Sequence, residues 1–129
     1  MIQKELKAVE AFHKAFKIDC EHEPTVAIPE NIKELRFRLM EEENQEYLEA
    51  AQNNDLIEVA DALGDMLYIL CGTILSHGMQ HKIEEVFDEI QRSNMSKLGD
   101  DGEPIYREDG KVMKGPNYFK PNIGEILKR

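Results

Sequence analysis

Apolar residues recur along the first third of the chain at steps of three and four. Ile2, Leu6, Val9, Phe12 or His13, and Phe16 form one stripe, which predicts an amphipathic helix over residues 2 to 18. Pro24 and Pro29 punctuate the next stretch and predict a loop over 19 to 30. A second helix is expected over 31 to 52, on Ile32, Leu35, Leu39, Met40, Tyr47, Leu48 and Ala51, followed by a tight break at Asn53 and Asn54. The third spans 55 to 77 and stops at Gly78, a residue suited to the left-handed conformation that follows a helix end. Ile83, Val86, Phe87 and Ile90 carry a fourth over 80 to 94.

Beyond Lys97 the texture changes. Gly99, Gly102, Pro104, Gly110, Gly115, Pro116 and Pro121 break any periodicity, and the pieces Ile105–Tyr106 and Val112–Met113 flank Asp109–Gly110, a hairpin turn signal. The expected architecture is therefore all-α and four-helix-bundle-like: one domain over 1–129, with a helical core over about 2–97 and a hairpin and tail over about 98–129.

Composition sharpens this in one respect. The 129 residues, 41% of them hydrophobic and 33% charged, suffice for one core and argue against disorder. The formal charge of −10 is not evenly spread: Leu39 to His81 holds nine acids and no Lys or Arg, and the other 17 acids are nearly matched by 16 bases. An acidic chain is a poor fit for nucleic acid held through its phosphates, so no nucleic-acid partner is expected. The longest strongly apolar run, Met66 to Leu75, is shorter than the roughly 20 residues a bilayer requires, so no membrane span is expected. The opening Met-Ile-Gln-Lys-Glu-Leu-Lys has no signal-peptide core, and two cysteines make no disulfide framework. Cys71, in an apolar helical run, reads as a buried free thiol. A cytoplasmic location is the expectation.

The acids have helical spacing. Glu42, Glu43, Glu46 and Glu49 share one face of the second helix, and Glu58, Asp61 and Asp65 share one face of the third. If the Asn53–Asn54 break makes these helices antiparallel neighbours, both acidic faces meet in one cleft. Exposed, the like-charge contacts along these helices cost roughly 2 kcal/mol in all. In a cleft, a single pair about 4 Å apart repels by about 4 kcal/mol at an effective dielectric of about 20. A cleft of this kind calls for cations, and Mg²⁺ or Mn²⁺ suits carboxylate oxygen. The competing reading of Glu41 to Glu49 is a solvated helix face, and Asp55 with Glu58 also reads as a capping box. Asp61 and Asp65 interrupt the apolar stretch Val59 to Leu70, where unpaired burial is costly.

Three blocks carry a resemblance. Arg38-Leu39-Met40-Glu41-Glu42-Glu43-Asn44-Gln45-Glu46, Asp61-Ala62-Leu63-Gly64-Asp65-Met66-Leu67-Tyr68 and Arg92-Ser93-Asn94-Met95-Ser96-Lys97, in that order, resemble the MazG-like all-α nucleoside triphosphate pyrophosphohydrolases, close to the phosphoribosyl-ATP pyrophosphohydrolase-like branch. The likeness runs from Phe12–His13 to about Pro121. It implies Mg²⁺-dependent cleavage of a nucleotide to monophosphate and pyrophosphate, a small-molecule substrate, and a homodimer or homotetramer.

It also implies a ligand set, a Glu-x-x-Glu helix facing a Glu-x-x-Asp helix. Glu43 and Glu46 match the first pair and Asp65 the final Asp, but Ala62 stands where the remaining Glu is expected. Asp61 and Glu58 flank that position as replacements, with Asp61 favoured. Glu42 is implied as the base that activates water. Asn94 and Lys97 are implied as phosphate or sugar contacts, and Lys111 and Lys114 as groups that close over the phosphates. His13, with Phe12 and Phe16, is implied at the base pocket. The alternatives are a helix C-cap for Asn94, solvated surface for the lysines, and plain core packing for Phe12, His13 and Phe16.

The chain lacks a Gly-Lys-Ser/Thr Walker loop, which argues against a P-loop phosphohydrolase. A di-iron carboxylate bundle requires Glu-x-x-His on two facing helices, and Glu10-x-x-His13 is the one match. A non-catalytic acidic helical module that binds a basic partner is the remaining alternative.

Overall fold

Four helices follow the apolar stripes in the computed structural model, which describes residues 1–129: α1 Gln3–Ala15, α2 Glu30–Gln52, α3 Leu56–Ser76 and α4 Ile83–Met95. A fifth, α5 Ile123–Lys128, is additional to the sequence expectation. Its six residues, interrupted by Gly124, are too few to display a period. Helix α1 stops three residues short of its predicted end, and Lys17 there takes a positive φ of 59°. The chain divides into two compact units, Met1–His81 and Lys82–Arg129.

In the first unit α3 packs on both α1 and α2. The α2–α3 connection is short because Asn53 closes α2 and Asn54 takes φ of 56°, a conformation that asparagine tolerates. Asp55 then caps α3, its Oδ1 accepting the Glu58 backbone N–H at 3.1 Å. That is the cap foreseen in the sequence, and it is worth about 1 kcal/mol. The pair runs antiparallel: Arg36 of α2 bonds to Ile69 and Thr73 of α3, whereas Glu43, further along α2, lies by Asp65.

The core is built from Leu6 and Val9 of α1, Ala62, Cys71, Ile74 and Leu75 of α3, and Ile28 of the loop before α2. Cys71 is fully buried as a free thiol. Helix α2 contributes far less than its stripe predicts. Only Arg36 and Ala50 are buried there, while Leu35, Tyr47 and Leu48 are exposed. Periodicity identifies a face suited to burial, and one chain covers only part of it.

The loop after α1 is tied to the end of α3. Leu75 O and His77 O accept the N–H groups of Glu21 and Thr25 at 3.0 and 2.9 Å, and Gln80 Nε2 donates to Glu21 O at 2.7 Å. Gly78, at φ of 68°, is required here because a Cβ would collide with the Glu23 backbone. By length and composition α3 alone meets the minimum for a bilayer span, with a mean hydropathy of 1.4, which a ten-residue view of its apolar run misses. Of that apolar window 33% is buried, its inner side packs on α1 and α2, and Glu58, Asp61 and Asp65 interrupt it.

In the second unit α4 packs on α5. Ser93 Oγ donates to Phe119 O at 2.8 Å, Glu89 accepts the Asn122 N–H at 2.7 Å, and Arg92 lies 4.4 Å over the Phe119 ring. Between the helices, the expected hairpin region makes one antiparallel bridge, Tyr106 with Val112, around Gly110 at φ of 88°.

Candidate functional site

The antiparallel pairing brings Glu43 and Glu46 of α2 against Asp65 of α3. One oxygen from each lies within 4.8 Å of the other two. Glu43 is half-buried, and its Oε2 is shut off from solvent with no hydrogen-bond partner. Burial, then the Glu46 carboxyl beside it, then the charges of Asp65 and Asp61 push the Glu43 carboxyl up to about 7. Such surroundings disfavour a lone anion. A cation relieves both defects, since it partners the orphaned oxygen and offsets the like charges. Three carboxylates from two helices are the hard-oxygen donor set that Mg²⁺ or Mn²⁺ takes, so the residues fit a divalent ion.

Of the other acids, Asp61 and Glu58 are exposed and line a shallow groove beside Glu46 and Glu49. They lie outside the close triad. Asp61 is near enough for its charge to act on Glu43, which Glu58's does not. Ala62 is buried at 2% exposure, so a longer acidic side chain there would point into the core of this unit. Glu42 is exposed beside Glu43 and one turn before Glu46. Four implied phosphate ligands belong to the second unit. Asn94 lies within α4, whose cap is Ser96, so the C-cap alternative fails. The Lys97 carbonyl accepts the Gly115 N–H at 2.8 Å, Lys111 is exposed, and Lys114 Nζ sits 4.7 Å over the Tyr118 ring.

One turn from the triad on each helix, at Leu39 and Tyr68, begins a mostly apolar cavity of about 540 Å³ between α1, α2, α3 and the 18–29 loop. His13 lines it, almost wholly buried, with Nδ1 3.4 Å from Cys20 Sγ. Burial, and then the nearby Arg36 charge, lower its pKa and so favour the neutral imidazole. Phe12 lines the cavity edge-on to Tyr68 at 5.6 Å, and Phe16 stacks on Phe12 outside it. Both phenylalanines are exposed, so core packing describes neither.

Sequence reasoning missed Arg36. Its Nε donates to Thr73 Oγ1 at 3.1 Å and its Nη2 to Ile69 O at 2.9 Å, and no carboxylate pairs with it. Gly72 makes the room, because a Cβ there would collide with Arg36 Nη2 and come within 3.0 Å of His13 Nε2. The available signal was an arginine on the apolar stripe of α2, between Ile32, Leu35 and Leu39.

A family model for phosphoribosyl-ATP pyrophosphohydrolase matches residues 9–94, which include both acid-bearing helices. A candidate NTP pyrophosphohydrolase from Exiguobacterium sp. 255-15, solved at 1.78 Å resolution, is 27% identical, with 96% of this chain and 91% of that chain covered and a TM-score of 0.49. No curated protein matches the chain. With two-thirds of its length matched by that model, and by the stretch that builds the carboxylate triad, the chain belongs to the phosphoribosyl-ATP pyrophosphohydrolase family.

Proposed function

We propose that this protein is a divalent-metal-dependent nucleotide pyrophosphohydrolase, cleaving a nucleoside triphosphate or related nucleotide to its monophosphate and pyrophosphate. The observation that carries the reading is the triad Glu43, Glu46 and Asp65, with its shielded, unpartnered Glu43 oxygen, in a chain of this family. Those three residues would hold Mg²⁺, or Mn²⁺ in its place, with Asp61 preferred over Glu58 as a further ligand. When bound there, such an ion supplies charge neutralisation for the phosphate oxygens.

Glu42 acts as the base. Exposed to water and one turn from Glu46, it takes the proton of the attacking water as the oxygen bonds to phosphorus. The α–β anhydride breaks, and pyrophosphate leaves with the electron pair. Because the cavity begins one turn from the triad, a base held there directs its phosphates toward Glu43, and Phe12 and Tyr68 give the base an aromatic wall.

We also propose a homo-oligomer. Leu56, Leu63, Leu67 and Leu70 form an exposed stripe along α3 at coiled-coil-like spacing, a surface suited to a second copy. The testing experiment is a pyrophosphate-release assay over canonical and deoxynucleoside triphosphates and phosphoribosyl-ATP, with and without Mg²⁺. Release from at least one nucleotide, abolished by chelation, is expected. Release from none would overturn the enzymatic reading in favour of the acidic binding module.

A further inference from the structure

Helix α1 ends on an uncommon residue for its position. The Ile18 N–H returns to His13 O at 2.8 Å and the Lys17 N–H to Lys14 O at 3.3 Å, a closure whose left-handed residue is usually glycine. Here that residue is Lys17, at φ of 59°. A side chain is disfavoured in this conformation, and glycine would avoid the strain. The helix dipole does not account for the choice, because Lys14 already places a cation in the last turn.

The surroundings of Lys17 do account for it. Of the lysines and arginines of the first unit, only Lys17 and Arg36 line the cavity. Arg36 is buried and committed to Thr73 and Ile69. Lys17 is exposed, and its ammonium makes no ion pair, even with Asp19 two residues on.

Helix pairing fixes which end of the cavity Lys17 occupies. Gln3 Nε2 donates to Gln80 O at 3.2 Å, past the end of α3, and Phe12 meets Tyr68, so successive turns of α1 run back along α3 toward Asp65. Phe16 stacks on Phe12 with ring centroids 4.4 Å apart, and Lys17 follows it. The unpaired ammonium therefore stands at the end of the cavity nearer the carboxylates. Leu39 to His81 supplies no lysine or arginine, so a phosphate beside the triad finds its protein cation outside that stretch.

We propose that Lys17 binds the α-phosphate of a nucleotide whose base lies in the cavity, and that the strained end of α1 serves this contact. The proposal rests on the nucleotide reading above, and the test separates the two.

The experiment is a ligand-observed NMR titration of the full chain, without metal, using adenosine, guanosine, cytidine and uridine and their 5′-monophosphates. The base that binds most tightly is then measured on variants. In Lys17→Gln its monophosphate should bind about tenfold more weakly, the scale of one hydrogen bond to a charged group, with the nucleoside changed by less than about twofold. Lys17→Arg should keep most of the monophosphate affinity. Lys17→Gly should lose as much affinity as Lys17→Gln while raising the denaturation midpoint, a pair of opposite changes that a merely structural residue does not give. Unchanged monophosphate binding in Lys17→Gln, an equal loss for nucleoside and monophosphate, or no monophosphate binding by the wild type at millimolar concentration overturns the proposal. Lys17-dependent monophosphate binding without pyrophosphate release from any triphosphate would keep the contact and remove the reaction. Metal-dependent release with a KM unaltered in Lys17→Gln would do the opposite.

Discussion

Glu43 holds its proton more tightly in the folded protein than in the unfolded chain, because folding buries it and sets it against Glu46, Asp65 and Asp61. Between 4.5 and about 7 the folded state therefore binds more protons, and the stability of the metal-free protein falls as pH rises through that window. A cation taken by Glu43 must displace this proton. Calorimetric titration with Mg²⁺ should give an affinity about tenfold higher at about pH 8 than at about pH 6, with proton release near the lower pH. A pH-independent affinity would place the ion elsewhere. Asp61→Asn should depress turnover more than Glu58→Gln, since only Asp61's charge acts on Glu43; the reverse order in kcat would move the displaced ligand to Glu58. Gly72 stands behind the cavity floor, and Gly72→Ala should cost about 1–3 kcal/mol by denaturant unfolding, as overpacking does. The triad was legible in the sequence because helical spacing alone puts acids on one face. Arg36 was overlooked despite its place on the apolar stripe of α2, because a long cationic side chain is ordinarily solvated.

Helices α1 to α4 were readable because each carries three or more turns of periodic apolar residues with a recognisable stop. The α3 start was read at the level of one hydrogen bond, Asp55 Oδ1 to the Glu58 N–H. Asp55→Ala should lower stability by about 1 kcal/mol, measured as a shift in denaturation midpoint at constant slope. Helix α5 escaped, since its six residues are held by tertiary contacts such as the Asn122 N–H on Glu89, which leave no local signal. The region around Asp109–Gly110 keeps its turn but pairs at one residue only, Tyr106 with Val112. Turn chemistry specifies a reversal, and the length of a ladder depends on what packs against it.

At the scale of the whole molecule, the charge of −10 and the apolar surface have separate origins. The acid excess sits on α2 and α3 and gathers at the triad, whereas the unmatched leucines lie along α3 outside it. If the stripe joins two copies, Leu67→Glu should halve the mass measured by light scattering or shift it toward the monomer, and an unchanged mass would remove the stripe from the interface. The cavity was the least legible feature. It is assembled from α1, α2, α3 and a loop whose position depends on backbone bonds to the end of α3, and no local pattern encodes that meeting. If Glu43, Glu46 and Asp65 form a metal-dependent hydrolytic centre, Mg²⁺-dependent pyrophosphate release by the wild-type protein and by Glu43→Gln on the same nucleotide will differ sharply. Robust release by the wild type and loss of at least about a hundredfold in the variant are expected, in line with removal of a group essential to charge stabilisation. Release that is equal in the two proteins, or that survives chelation, would contradict it.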